Sequence, residues 1–161
     1  TKDEMDTAID SGKLILYNDG EKVKIARAVN SLKTTTADKG ESFKKIKLID
    51  AMDMIYDDIK KTAEDNYLGK YSNSYDNKCL LITAIQGYFD QLELDGILDN
   101  GTNNVVVDLA AQTAYLKSIG IDIDSMNEQE IKSANTKDKV FLTANIKILD
   151  AIEDITLNVI L

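Results

Sequence analysis

The stretch Val140–Leu161, VFLTANIKILDAIEDITLNVIL, decides how the rest of the chain is read. It holds two strand-like runs separated by a short acidic break. In the first run Val140, Leu142, Ala144, Ile146 and Ile148 point one way, and Phe141, Thr143, Asn145, Lys147 and Leu149 point the other. In the second, Ile155, Leu157, Val159 and Leu161 alternate with Thr156, Asn158 and Ile160. Period-two alternation rich in β-branched residues marks a half-buried strand. Such a strand at a chain end pairs either within its own fold or with another chain, because an open edge presents unpaired N–H and C=O groups. The short connection Asp150–Asp154 suits an ordinary hairpin of the two runs, so the residues alone leave both arrangements open.

Working back from this stretch, Asn135–Lys139 is a polar turn, and Ser125-Met126-Asn127-Glu128 has the pattern of a capping box that opens a short helix. Asp108 caps a helix to about Ser118, stopped by Gly120. Ser74 caps a longer one whose expected buried stripe is Leu81, Ala84, Ile85, Tyr88 and Leu92, ended by Gly96. Ser42 is the expected cap of another, with Leu48, Met52, Ile55, Tyr56, Ile59 and Ala63 at helical spacing and Met52 and Met54 packed in or near the core. At the far end, Thr1-Lys2-Asp3-Glu4 fits a capping box and Gly12 a left-handed stop. Leu14–Tyr17 reads as a strand, Asn18-Asp19-Gly20 as a hairpin turn, and Val23, Ile25 and Val29 as the returning strand. Strands near both ends with helices between define an α+β fold: a small mixed or antiparallel sheet packed with several helices.

The 161 residues suit one domain, residues 1–161, with a real core. The net charge of −9 argues against nucleic acid and against anionic lipid as partners. No apolar run is long enough for a membrane helix, so no membrane insertion is expected. The chain opens on Thr1 instead of Met, which leads us to expect a fragment of something longer. Proline is absent, leaving turns to Gly, Asn and Asp.

A search for chemistry returns little. Histidine is absent, which removes the commonest general base and the commonest zinc ligand together. Cys79 is alone, so it has neither a disulfide partner nor a histidine to activate it. Asp122-Ile123-Asp124 begins like a calcium loop, but Met126, Asn127 and Ser133 stand where a ligand, a glycine and a glutamate are needed. Acid pairs such as Asp57/Asp58, Asp50/Asp53 and Glu153/Asp154 are what any acidic surface carries. Asn100-Gly101-Thr102 matches a glycosylation acceptor, with no secretory signal to support it. No catalytic residue, metal site or cofactor is expected.

Several segments in order do resemble a known family. Glu128–Leu161 is similar to the C-terminal end of contractile-tail sheath proteins of myophages and phage-tail-like bacteriocin particles, of the type common in Gram-positive bacteria. Leu16–Leu32 (LYNDGEKVKIARAVNSL), Ile49–Ile59 (IDAMDMIYDDI) and Tyr67–Phe89 (YLGKYSNSYDNKCLLITAIQGYF) agree. The resemblance implies the C-terminal domain of a longer, non-enzymatic structural protein of a virion or phage-tail-like particle, assembled in the bacterial cytoplasm. It implies neighbouring sheath subunits, the tail tube protein, and baseplate and terminator proteins as partners. It also implies terminal arms that add strands to neighbouring domains. On that footing residues 155–161 are the expected arm, with Ile155, Leu157, Val159 and Leu161 filling alternate pockets on the partner and Asp150–Asp154 as hinge. Lys132, Lys137 and Lys139 are the candidates for tube contact, since a contact that later lets go suits screened surface charge. The competing readings are a monomeric acidic adaptor module, with Tyr67, Tyr71 and Tyr75 as recognition surface, and, last, a carboxylate enzyme.

Overall fold

The computed structural model describes residues 1–37 and 39–160. The chain divides into two compact units, one formed by Thr1–Tyr56 with Leu149–Leu161 and the other by Asp57–Ile148. Helices and two small antiparallel sheets make the fold α+β. Among the described residues no helix is long and apolar enough to cross a membrane.

The first unit opens with α1, Lys2–Asp10, whose capping box forms as read: Glu4 N donates to Thr1 Oγ1, and the Thr1 main-chain nitrogen donates to the Glu4 carboxylate at 2.7 Å. Gly12 ends it at φ +72, and a Cβ there would sit 3.2 Å from the Ser31 backbone, so both conformation and space require glycine. Strands β1, Leu16–Asn18, and β2, Val23–Ile25, pair antiparallel with Leu16 opposite Ile25. Asn18 Oδ1 accepts from Gly20 N at 2.8 Å and Asp19 Oδ1 from Glu21 N and Lys22 N, so the Asn-Asp-Gly turn closes through its own side chains. The returning strand is shorter than read: Val29 leaves it and bridges Lys45 instead. That bridge holds Lys45 extended, so Ser42 lies inside a 3₁₀ turn, Glu41–Lys44, and does not cap the long helix. Helix α2, Ile46–Asn66, starts after it. Its buried positions are Leu48, Ala51 and Ile55, one helical stripe. Met52, Met54 and Tyr56 lie outside that stripe and are exposed, contrary to expectation.

In the second unit Ser74 caps α3, Tyr75–Leu94, by accepting from Asn77 N, and Asp108 caps α4, Leu109–Ser118, by accepting from Ala111 N at 2.9 Å. Between them lies β3, Asn104–Val107, a strand the sequence reading passes over. It pairs antiparallel with β4, Leu142–Asn145, with Val107 opposite Leu142. The core gathers Phe89 and Leu92 of α3, Leu98, Val105 and Val107 around β3, and Leu116 of α4. The last helix, α5, Glu128–Ser133, is opened by Asn127 with Glu130, two residues beyond the box expected at Ser125. Met126 N donates to Ile123 O, which folds Ser125 and Met126 into the preceding turn and leaves Asn127 as the first residue free to cap. Gln112 of α4, fully buried, donates through Nε2 to the Ile131 and Lys132 carbonyls and so ties down the C-terminal end of α5.

Candidate interaction surfaces

The terminal run behaves differently from the one before it. The first run forms β4 and continues as a bridge between Ile148 and Leu98, so its partner is β3 and not the chain end. Among the described residues, none of 151–160 lies in a strand, and the hairpin of the two runs does not form. Ile152, Ile155, Leu157, Val159 and Ile160 are 74–96% exposed. Leu161 lies outside the described residues.

The root of this segment is nevertheless held. The chain's single arginine, Arg27, pairs with Asp154 at 2.7 Å and with Glu153 at 3.5 Å. Lys45 pairs with Glu153 at 3.1 Å and with Asp150. All three acids of the break Asp150–Asp154 are therefore engaged by two cations of the same unit. The hydrogen bond from Lys45 holds the Asp150 carboxyl below its ordinary pKa, and the bond to Asp150 raises that of Lys45. Asp154 raises the Arg27 guanidinium in the same way. Sequence reading could not place these cations, since Arg27 and Asp154 lie 127 residues apart; a solitary arginine in an acidic chain was the available signal.

The expected lysines fall in two settings. Lys132 sits in α5 and donates to Glu128 one turn back, which raises its pKa. Lys137 and Lys139 share the turn before β4. Lys137 is exposed with φ 57, its N–H received by Asn135 Oδ1, and Lys139 Nζ lies 5.1 Å from the centre of the Tyr115 ring. The turn is fixed from beneath. Asn73 Nδ2 donates to the Lys137 and Lys139 carbonyls at 2.9 and 2.8 Å, and Thr136, fully buried, bonds Asn73, Lys78 and the Lys139 carbonyl through its hydroxyl. Nothing in the sequence marks Asn73, Lys78 and Thr136 as one network, since they lie up to 63 residues apart.

Two hollows flank α3. An apolar one of about 210 Å³ is lined by Ile59, Ala63, Tyr67, Leu81, Ile85 and Tyr88. It explains why the stripe Leu81–Ala84–Ile85–Tyr88 is half open instead of buried. Tyr88 Oη donates to Asp58 at 2.6 Å, and burial first, then that carboxylate, raises its pKa. The second, about 380 Å³, lies between Tyr67–Asn73, the start of α3 and the Lys137–Val140 turn. The Tyr67 and Tyr71 rings stack at 5.5 Å beside it; Tyr75 does not join them. Among the described residues no three His, Cys, Asp or Glu side chains are placed to hold a metal ion.

Comparison with solved structures gives the class first. The fold is that of sheath tail proteins. The sheath tail protein of Desulfitobacterium hafniense matches with TM-score 0.58 and 24% identity, over 67% of this chain and 26% of that one. A chain of the anti-feeding prophage baseplate matches with TM-score 0.64 and 16% identity, over 100% and 39%. The sheath tail protein Listeria innocua carries matches at 0.52 and 17%, over 94% and 34%. At sequence level, the model of the phage tail sheath C-terminal domain matches residues 38–161, and the chain belongs to that family. The tail sheath protein of Clostridium phage phiCD119 is 44% identical over 158 residues, which cover 98% of this chain and 44% of that protein. The chain thus spans less than half the length of this curated relative.

Proposed function

We propose that this chain is the C-terminal domain of a structural sheath subunit, without enzymatic activity, which polymerises helically around a tail tube and re-packs on contraction. Family membership supports the first part. The observation that carries the rest is the terminal segment: anchored at Asp150–Asp154, unpaired beyond it, and apolar at alternate positions. Ile155, Leu157, Val159 and Leu161 form the arm given to a neighbouring subunit.

A receiver is available in the same unit. The β1–β2 ribbon has only two strands, too few to be stable alone, and it exposes Leu16, Val23 and Ile25. A strand added at its edge satisfies backbone groups and sets its own alternate apolar side chains beside those residues. Main-chain bonds of this kind depend little on the tilt between two bodies, so the link survives while subunits rotate. Lys137 and Lys139, with Lys132, form the tube-facing charge. Baseplate and terminator proteins meet the same polymer at its ends.

Removal of residues 155–161 from the full-length protein tests this. The variant keeps its circular dichroism spectrum and melting transition but forms no tubes by electron microscopy. Normal tubes from the truncated protein would sink the arm, and a stable monomer at high concentration from the intact protein would favour an adaptor module.

A further inference from the structure

Lys78 is a buried cation. It is 2% exposed, and its ammonium has one hydrogen-bond partner, the neutral Thr136 hydroxyl at 3.2 Å. An ammonium carries three donors and strongly disfavours burial without a counter-charge. Among the described residues no carboxylate lies within ion-pair distance of it, although the molecule as a whole is acidic. Its position makes matters worse. Lys78 is the fourth residue of α3, at the end where the helix dipole is positive and a cation is unfavourable. Burial accordingly lowers its pKa. Beside it Asn73 Oδ1 is buried with no donor.

Both side chains line the 380 Å³ hollow. Leu81 lines it from α3, and Leu68 and Tyr71, 66% and 55% exposed, line it from the turn before α3. Lys137 and Asp138 stand at the lip. The hollow therefore offers a buried cation, the positive end of a helix and one unsatisfied acceptor in apolar surroundings, while Lys137 and Asp138 offset each other in charge beside it. A peptide-borne carboxylate answers all of these: its oxygens take the unused Lys78 donors, and its own main-chain N–H serves Asn73 Oδ1.

We propose that the Lys78 hollow binds an Asp or Glu side chain of a protein partner that docks over the Lys137–Lys139 turn. The inference rests on the reading of that turn as the tube-facing surface, and makes the tube the source of the acid. The apolar lining excludes water around the bound side chain and strengthens the pair.

The first measurement is NMR of the Lys78 side chain in this chain, titrated with N-acetylglutamate methylamide as probe. A saturable shift that the matching glutamine probe does not produce, and that Lys78→Met abolishes, supports the site. No saturable shift, or equal shifts from both probes, overturns it. The second is co-sedimentation with the tail tube of the same particle. Lys78→Met and Lys78→Gln, the latter keeping a bond to Thr136, are each expected to weaken binding about tenfold or more, the scale of a lost charge pair. If Lys137→Glu with Lys139→Glu abolishes tube binding while both Lys78 variants bind normally, the hollow proposal fails and the tube-facing reading stands. If none of these variants affects the tube, both fail.

Discussion

Phe89 and Lys78 lie on one helix, are equally hidden, and contribute with opposite signs. Phe89 is 1% exposed at the centre of the second unit's core. Phe89→Ala is expected to cost about 3–5 kcal/mol, from lost burial and a residual cavity, read from the urea midpoint. Lys78→Met is expected to stabilise the isolated chain by about 1–3 kcal/mol near neutral pH, by removing a charge that lacks partners. Its pH dependence follows from a folded pKa lowered by burial. The native state then binds fewer protons than the unfolded chain, so wild-type stability rises as pH climbs from the folded pKa towards the unfolded value of about 10.4. The advantage of Lys78→Met should shrink over that window, as thermal melts at several pH values would reveal. A gain that stays constant with pH would mean that the residue acts through packing and not through charge.

Among the elements, the caps were the most legible part of the sequence. Ser74, Asp108, and Thr1 with Glu4 each act where a short polar side chain precedes an apolar-periodic run. Asp108→Ala should lower stability by about 1 kcal/mol, with α4 fraying first in temperature-dependent NMR spectra. Other features were hidden for identifiable reasons. A capping pattern two residues early, at Ser125, is indistinguishable from the working one at Asn127 until the Ile123–Met126 turn is seen. Strand β3 is short, and Val105-Val106-Val107 was masked by the strong turn and cap signals on either side. The α2 stripe was misplaced because Met52 and Tyr56 share helical spacing with Leu48, yet Ala51 is the residue that turns inward. Of the features proposed as interaction surfaces, the alternating apolar pattern of the last residues and the lysines before β4 are visible in the sequence itself. The cations that anchor the arm and the polar network beneath the turn could not, because each joins residues far apart in the chain.

For the molecule as a whole, the anchorage of the terminal segment is electrostatic and thus tunable. Lys45 and Arg27 hold Asp150, Glu153 and Asp154 at the surface, where salt screens such pairs. Asp150 has a depressed pKa, so its contribution is present above the unfolded value near pH 4 and is lost as pH falls through the folded one. Lys45 has a raised pKa, so its contribution is complete below about pH 10.4 and is lost as pH rises through its folded value. Between these limits the root of the arm is fixed. Lys45→Glu should release it at neutral pH, seen as narrowed NMR lines for residues 150–154 while core resonances stay in place. Unchanged lines would show that the ion pairs are incidental to the arm's direction.

The unpaired terminal segment also carries its own clock. A backbone amide without a partner trades its proton for deuterium at the rate of a free peptide, whereas one locked in a ladder waits for that ladder to open. Residues 152–160, outside any strand in the subunit, should label within seconds before polymerisation. Slow labelling of that tract, found only after assembly, would date strand exchange for each subunit and would need no image of the particle.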